Sequence, residues 1–302
     1  MYDIVIVGGG PAGLTAAVYG LRAGKTVLVI EKAGFGGQIA YSPKVENIPG
    51  TILISGAEFA EKLVEQAMAL GADVELETVT GIEKRGEVFH ISTEDGVAFE
   101  GKSVILALGV KHRMLGLEGE EDLIGKGISF CAVCDGAFYE GQHAAMIGGG
   151  NSALQEALLL SEVCSKVTVV QNLADFTGEK KLADALLEKE NVTVYFSTVV
   201  DGYISNGEEL TGLRLRNDIT GEITQIDVDG AFLAVGLMPE NEPFAEFAAL
   251  NAWGYFDSGE DCTTKTEGLF VAGDCRSKRI RQVTTASADG AVAAMAACRY
   301  LG

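Results

Sequence analysis

Residues 3–13 read DIVIVGGGPAG and combine a strand with a glycine-rich turn. Residues 3–7 have the apolar, β-branched character of a buried parallel strand, and residues 14–23 continue in a helical pattern. In such a turn the glycines let the backbone approach a pyrophosphate, and the helix N-terminus offers N–H groups and the positive end of its dipole. This stretch predicts an α/β fold that binds a nucleotide.

An acidic residue follows at the spacing expected of a dinucleotide site. A second apolar strand, residues 26–30, ends in Glu31, which lies 18 positions after Gly13. A carboxylate in this position accepts hydrogen bonds from ribose hydroxyl groups. The order of strand, glycines, helix, strand and acid is more specific than a lone glycine motif, and it disfavours a turn that binds nothing.

The same pattern recurs in the second half of the chain. The repeat consists of a strand, the turn GGGNSA, a helix and a second strand, at residues 144–147, 148–153, 154–162 and 166–170. It predicts an α/β protein with two Rossmann-like nucleotide-binding domains of the three-layer ββα type, the second inserted into the first. We expect residues 1–112 and 240–302 to form the first domain and residues 113–239 the inserted one. Residues 73–99 alternate apolar and polar runs with turn residues, which predicts antiparallel strands.

Between the two glycine-rich turns lies the sequence CAVCD, residues 131–135. Two thiols separated by two residues can close a small disulfide and exchange two electrons with another dithiol. Half of a zinc site is the alternative, but the remaining cysteines are scattered singly, without a second pair or a histidine partner. The spacing therefore favours a redox pair, and we expect no metal site.

The C-terminal segment carries a second acidic candidate. Residues 268–274 predict a strand that runs into Gly273 and Asp274, and a helix rich in small residues follows at 285–300. An aspartate at the end of a strand beside a helix N-terminus can bind a ribityl hydroxyl or a phosphate-bound water. Capping of that helix is the alternative role.

Composition excludes several classes of partner. The 302 residues are 47% hydrophobic and carry a formal net charge of −20, which disfavours nucleic acid and anionic membranes as partners. No apolar run approaches the roughly 20 residues of a membrane span, and the N-terminus lacks a basic signal-peptide start. We expect a cytoplasmic protein.

Taken in order, these motifs resemble the low-molecular-weight thioredoxin reductases over essentially the whole chain, and Gly36-Gly37-Gln38 and the run ENIPG at 46–50 add to the match. The resemblance implies a homodimeric flavoprotein in which the inserted domain carries the redox pair, ordinarily binds NADPH, and rotates between the flavin and thioredoxin. It implies that Cys134 faces the flavin, that Cys131 attacks the disulfide of thioredoxin, and that Asp135 manages the protons. The residues expected to hold FAD are Gly8, Gly10, Pro11, Ala12, Gly13, Glu31, Lys32, Gly37, Gln38, Asn47, Gly109, Gly273, Asp274, Arg281, Gln282 and Val283.

One departure from the family concerns the electron donor. NADPH-dependent members have His-Arg-Arg and a further Arg after the second fingerprint, whereas residues 171–177 here read QNLADFT, without a positive charge. Loss of several arginine contacts to the 2′-phosphate costs about 1.5–3 kcal/mol for each charged hydrogen bond. No acid stands at the strand end to favour NAD. The pattern resembles ferredoxin-dependent flavin thioredoxin reductases, so we expect ferredoxin as the donor. Ala107-Leu108-Gly109, where relatives have Ala-Thr-Gly, is a smaller departure.

A ferredoxin is acidic, so it would need a local basic surface on this acidic chain. The densest basic cluster is Arg276, Lys278, Arg279 and Arg281, and a second group is Lys111, His112 and Arg113. We expect these residues to form the docking patch. The alternative roles are solvated surface charges or contacts to the pyrophosphate of FAD.

Three other functions fit parts of the pattern. A dithiol oxidase would run the electrons from a small dithiol through the flavin to oxygen. An NAD(P)H-dependent enzyme would need atypical contacts, for instance from Lys180 and Lys181. A flavin-binding redox sensor would leave the CAVCD sequence without an evident use.

Overall fold

The computed structural model describes residues 1–42 and 45–302, which form two compact units. The first unit contains residues 1–42, Ile48–Lys111 and Met238–Gly302. The second contains His112–Leu237, together with residues 45–47.

The strands and helices of the described residues follow one another along the chain in a mixed α/β order. The strands are β1 Tyr2–Val7, β2 Val27–Glu31, β3 Asp73–Leu76, β4 Val79–Arg85, β5 Val88–Thr93, β6 Ala98–Leu106, β7 Lys111–His112, β8 Ile128–Ser129, β9 His143–Ile147, β10 Lys166–Val170, β11 Val192–Tyr195, β12 Thr198–Ser205, β13 Leu210–Asn217, β14 Ile223–Asp227, β15 Gly230–Leu233, β16 Leu237–Met238 and β17 Leu269–Val271. The helices are α1 Pro11–Arg22, α2 Gly56–Ala69, α3 Ala132–Asp135, α4 Asn151–Val163, α5 Lys180–Leu187 and α6 Val283–Leu301.

The first unit is built on a seven-stranded sheet in the order β3-β2-β1-β6-β5-β4, with β17 also paired to β6. Strands β3, β2, β1, β6 and β17 are mutually parallel, as expected of a Rossmann-like fold. The expectation of antiparallel strands over residues 73–99 holds for β4, β5 and β6 but is wrong for β3. Strand β3 follows the crossover helix α2 and therefore enters the sheet parallel to β2.

Small residues let two helices of the first unit approach closely. Alanines of α1 and α6 share one buried cluster, and a Cβ atom added at Gly290 would lie 2.1 Å from the carbonyl oxygen of Ala12. A Cβ added at Gly273 would lie 2.8 Å from the Cβ of Ala12. This packing places the segment after β17 beside the start of α1.

The second unit repeats the parallel architecture on a smaller scale. Its five-stranded sheet has the order β11-β10-β9-β15-β8, and every pairing in it is parallel. A separate antiparallel sheet contains β12, β13 and β14. Helix α4 buries Ala153, Leu154, Ala157 and Leu160 in the cluster that includes β9 and β10.

The described residues contain no helix that is both long and apolar enough to cross a bilayer. They also contain no group of three or more histidine, cysteine or acidic side chains arranged to hold a metal ion.

Candidate functional site

The first glycine-rich turn is shaped by two close backbone contacts. Gly8 has φ +111° and an added Cβ would lie 2.2 Å from the carbonyl oxygen of Ala107, while a Cβ at Gly13 would lie 1.9 Å from the oxygen of Gly8. Helix α1 then begins at Pro11 with Gly10 as its N-cap, without a side-chain cap and without an acidic residue in its first turn. The N-terminus of α1 therefore has the features of a helix end that binds anions.

Glu31 is held against this turn. Its Oε2 accepts a hydrogen bond from the backbone N–H of Gly9 at 2.7 Å, and its Oε1 accepts one from Ala33 at 3.0 Å. The carboxylate thus lies at the end of β2 beside the turn, where a ribose is bound in dinucleotide sites. The neighbouring Lys32 forms an ion pair with Glu240, which also pairs with Lys111 at 2.8 Å.

The residues predicted after β2 lie against the same turn. The N–H of Gly36 donates to the carbonyl oxygen of Gly9 at 2.7 Å, and a Cβ added at Gly37 would lie 3.3 Å from the Cα of Gly10. The amide of Gln38 donates to the carbonyl oxygen of Val110, next to Gly109, whose φ is +65°. Asn47 is exposed and lies in the segment that groups with the second unit.

Asp274 combines a buried carboxylate oxygen with a raised pKa. Its Oδ1 is buried and has no hydrogen-bond partner among the described residues. Burial raises the pKa of this carboxyl group to about 6, against the opposing effect of Lys278 and Arg281. A buried acceptor without a partner is costly, so this oxygen is expected to receive a donor from a ligand.

The residues after Asp274 form the start of α6. Arg281 donates from Nε to the carbonyl oxygen of Asp274 at 3.3 Å, and its guanidinium lies 4.3 Å from the ring centroid of Tyr255. Gln282 is the N-cap of α6 and forms a capping box with Thr285, and Val283 is the first residue of the helix. The role of helix cap that was left open for Asp274 therefore belongs to Gln282.

These features fit FAD. The start of α1 suits a pyrophosphate, Glu31 suits a ribose, and the buried Oδ1 of Asp274 suits a hydroxyl donor. FAD supplies a carrier of two electrons when bound. The protein contributes the groups that hold and orient it.

In the second unit, Cys131 and Cys134 form a disulfide across the first turn of α3, with their Cα atoms 5.3 Å apart. Cys131 is the N-cap residue, and the N–H of Cys134 donates to its sulfur at 3.2 Å. An N–H group aimed at a sulfur stabilises a thiolate there after reduction. The predicted redox pair is thus present as a disulfide, with its N-terminal sulfur facing a donor.

Ser129 orients the predicted acid–base residue. Its hydroxyl donates to Oδ2 of Asp135 at 2.6 Å and accepts from the N–H of Cys131 at 3.2 Å. Ser129 is 5% exposed, so this contact is largely shielded from water. The sequence analysis missed Ser129, although a hydroxyl residue two positions before the first cysteine was a usable signal.

Glu156 is a second residue that the sequence analysis missed. It lies on α4, and its Oε2 accepts from the N–H of Ala132, the first residue of α3, at 2.8 Å. Burial raises the pKa of its carboxyl group, although the bond from Ala132 opposes this shift. The only signal in the sequence was one carboxylate on the partly buried side of an apolar helix.

The second glycine-rich turn has a different neighbour from the first. An added Cβ at Gly149 would lie 2.4 Å from the side chain of Gln171, which follows β10 as Glu31 ends β2. Gln171 is 2% exposed, and its amide nitrogen donates to the carbonyl oxygen of Asp175 at 3.0 Å. The N–H of Thr177 donates to the carbonyl oxygen of Gly149 at 2.9 Å. A neutral, buried amide thus occupies the place where the first unit has a carboxylate.

Lys180, the first of the two lysines beyond this loop, has a local partner. Lys180 contacts both carboxylate oxygens of Asp184, at 2.7 and 2.8 Å, one turn along α5. The side chain of Lys180 is 87% exposed. This arrangement does not favour a contact between Lys180 and a phosphate bound at the second glycine-rich turn.

The expectation of an exposed docking patch is wrong for two of the four residues in the densest basic cluster. Arg276 is 2% exposed and donates two hydrogen bonds of 2.8 Å to Asp289, and Lys278 is 8% exposed and donates to the same carboxylate at 2.8 Å. Asp289 lies on the buried face of α6 and draws both cations inward. Arg279 of the same run is exposed.

In the second basic group, Arg113 is exposed, but the other two members contribute less than expected. His112 stacks on Phe130 with ring centroids 4.4 Å apart, and burial lowers its pKa to about 4, so it is neutral at pH 7. Lys111 is engaged by Glu240.

Comparison with known proteins agrees with this geometry. A model of the pyridine nucleotide-disulphide oxidoreductase family matches residues 2–290. The chain is 40% identical over 301 residues to thioredoxin reductase of Treponema pallidum, which covers 99% of this chain and 97% of the relative. It is 38% identical over 301 residues to a 34.2 kDa protein in a rubredoxin operon of Clostridium pasteurianum, with coverage of 99% and 97%. The crystal structure of thioredoxin reductase from Streptococcus pyogenes matches with a TM-score of 0.93 at 36% identity and covers 100% of this chain and 98% of that one. The chain therefore belongs to the pyridine nucleotide-disulphide oxidoreductases and, within them, to the FAD-binding low-molecular-weight thioredoxin reductases.

Proposed function

We propose that this protein reduces thioredoxin with electrons from ferredoxin, which pass through FAD and the Cys131–Cys134 disulfide. The enzyme acts as a cytoplasmic homodimer, with Asp135 as the acid–base group. The residues that hold FAD are those predicted around the first glycine-rich turn and at the start of α6.

The cysteine pair supports a dithiol exchange reaction. Reduction of the disulfide takes two electrons and one proton and leaves one thiol and one thiolate. The N–H of Cys134 favours the thiolate on Cys131, which then attacks the disulfide of thioredoxin. Ser129 holds Asp135 beside this pair, where the carboxylate can exchange a proton with a sulfur.

The position of Gln171 carries the proposal of the donor. A 2′-phosphate of NADPH needs cations near the end of β10, and a free ribose of NADH needs an acid there. The chain offers a buried amide that is bonded to Asp175, and the loop that follows is neutral or acidic up to Lys180. A nicotinamide dinucleotide would therefore bind weakly, and the flavin needs another reductant.

Ferredoxin fits that requirement because it delivers electrons directly to a flavin without a nucleotide pocket. The loss of Arg276 and Lys278 from the surface means that docking depends on few exposed cations, Arg279 among them.

The test is a comparison of donors in anaerobic thioredoxin reduction. We expect reduced ferredoxin to support turnover and NADPH or NADH to support less than a hundredth of that rate. Equal rates with NADPH would refute ferredoxin as the donor. Oxygen consumption with a small dithiol as the reductant, without any reduction of thioredoxin, would refute thioredoxin as the substrate.

An engineered variant sharpens this test. Asn172, Leu173 and Thr177 are exposed in the loop after β10, so arginines at all three positions should be tolerated and should supply the missing cations. We expect this triple variant to gain NADPH-dependent turnover at least tenfold. Ile219→Arg, at a 77% exposed position elsewhere in the second unit, is the matched control and should gain none.

A further inference from the structure

The structure assigns a role to Glu156: we propose that it is a positioning residue that keeps the Cys131–Cys134 pair strongly reducing. It does so by holding the first N–H group of α3 and by placing a negative charge where the thiolate forms. The inference rests on the proposed role of the cysteine pair but not on the identity of the electron donor.

Helix α4 contacts the start of α3, the short helix that begins directly after Cys131. Ala132 is 2% exposed, and its N–H donates to Oε2 of Glu156 at 2.8 Å. Helix α4 is fixed by its buried apolar residues, and an added Cβ at Gly136 would lie 3.2 Å from Leu160 of that helix. The carboxylate is therefore held in place from a separate, rigid element.

The N-terminal N–H groups of a helix normally stabilise a thiolate. Here they are divided, because the N–H of Ala132 is taken by Glu156 while the N–H of Cys134 points to the sulfur of Cys131. Glu156 thus removes one of the donors from the thiolate, and in its ionised form it adds a repelling charge beside Ala132, the residue after Cys131. Asp135 lies on α3, Tyr139 follows shortly after it, and His112 stacks on Phe130, which precedes Cys131. None of the three is a cation at pH 7, because burial lowers the pKa of His112 to about 4.

The chemical consequence follows from the half-reaction. The disulfide accepts two electrons and one proton, its S–S bond breaks, and a thiol and a thiolate remain. Any group that stabilises the thiolate makes the pair a stronger oxidant, as in thiol oxidases, and any group that opposes it makes the pair a stronger reductant. A pair that must pass electrons to the disulfide of another protein benefits from the second arrangement.

A plain helix cap would behave differently on substitution. Glu156→Gln retains a carbonyl oxygen that can accept from Ala132, and it loses only the charge. A capping role alone therefore predicts an unchanged thiol–disulfide equilibrium in this variant, whereas the proposed role predicts a shift.

The experiment equilibrates the FAD-loaded protein anaerobically with oxidised and reduced dithiothreitol, without ferredoxin, NADPH or thioredoxin. The fraction of reduced Cys131 and Cys134 is measured by alkylation and mass spectrometry. For Glu156→Gln we expect the equilibrium to shift about tenfold towards the dithiol, which corresponds to about 30 mV for a two-electron couple. The rate of alkylation at neutral pH should rise as well, because more of the reduced pair is thiolate.

Glu162→Gln is the matched control, since it removes an exposed carboxylate from the same helix. It should leave the equilibrium within twofold of the unmodified protein. An equilibrium for Glu156→Gln that stays within twofold, or that shifts towards the disulfide, would overturn the proposal. Glu156→Ala should shift at least as far as Glu156→Gln, and loss of folding in both variants would assign Glu156 a structural role and overturn the proposal too.

Discussion

Asp289→Asn should destabilise the first unit more than any comparable change of a surface charge. Its carboxylate accepts two bonds of 2.8 Å from Arg276, one of 2.8 Å from Lys278 and one of 3.0 Å from the N–H of Gly273. Burial raises the pKa of Asp289, but the bonds from Arg276 and Lys278 bring it below its ordinary value, so the group is charged. The variant removes the buried counter-ion of two cations, 2% and 8% exposed, and leaves Arg276 only the exposed Glu260 at 3.5 Å among the described residues. Loss of one partner of a buried ion pair costs about 3–5 kcal/mol.

The assay is equilibrium unfolding in urea, followed by fluorescence of Trp253, which is the single tryptophan and lies in the first unit. Glu83→Gln is the matched control in the same unit, because Glu83 pairs with Arg85 at 2.6 Å and both side chains are 60–63% exposed. A surface pair contributes about 0–1 kcal/mol, so the control should unfold almost normally. If the two variants lost the same free energy of unfolding, the stabilising role assigned to the contacts of Asp289 with Arg276 and Lys278 would be wrong.

The remaining predictions concern the FAD-binding residues of the first unit and the redox pair of the second. Burial raises the pKa of Asp274 from 3.8 to about 6, so the stability that this one group contributes to the ligand-free protein is fully present below about pH 4 and is lost as the pH rises through about 6. Asp274→Asn should therefore stabilise the ligand-free protein by about 1–3 kcal/mol at pH 7, as thermal unfolding across pH would show, while it weakens FAD binding at least tenfold. Gly13→Ala should give protein that retains no FAD by absorbance, because its Cβ would lie 1.9 Å from a backbone oxygen; Gly34→Ala, with nothing within 4 Å, should bind FAD normally. Ser129→Ala should lower kcat/KM for thioredoxin about tenfold and alter its pH profile without changing FAD content. Ser161→Ala should leave kcat/KM and its pH profile unchanged, because the hydroxyl of Ser161 donates to the carbonyl oxygen of Leu158 in its own helix.

Local patterns in the sequence predicted the parts of the fold that depend on neighbours in the chain. The glycines of residues 8–13, the strand before them and Glu31 specify one βαβ unit, and the structure builds that unit with Glu31 against the turn. The pairing of Cys131 with Cys134 is equally local, because two intervening residues span one helical turn. The direction of β3 was not predictable in this way, because it depends on where the crossover helix returns the chain.

Contacts between distant segments explain what the sequence could not show. Arg276 and Lys278 stand in a run of cations that has the appearance of a solvated surface, and only the folded chain brings Asp289 of α6 beneath them. Glu156 reaches Ala132 across 24 positions of sequence. In both cases the sequence carries the charged residue, but tertiary packing decides its partner and therefore its role.

The most direct test of the proposed electron path is anaerobic reduction of the purified flavoprotein in a stopped-flow spectrometer. Reduced ferredoxin should bleach the flavin absorbance rapidly, and equimolar or excess NADPH should leave it unchanged on the same timescale. Rapid bleaching by NADPH would contradict the account, because it would show that the unit with Gln171 at its strand end still binds a nicotinamide productively.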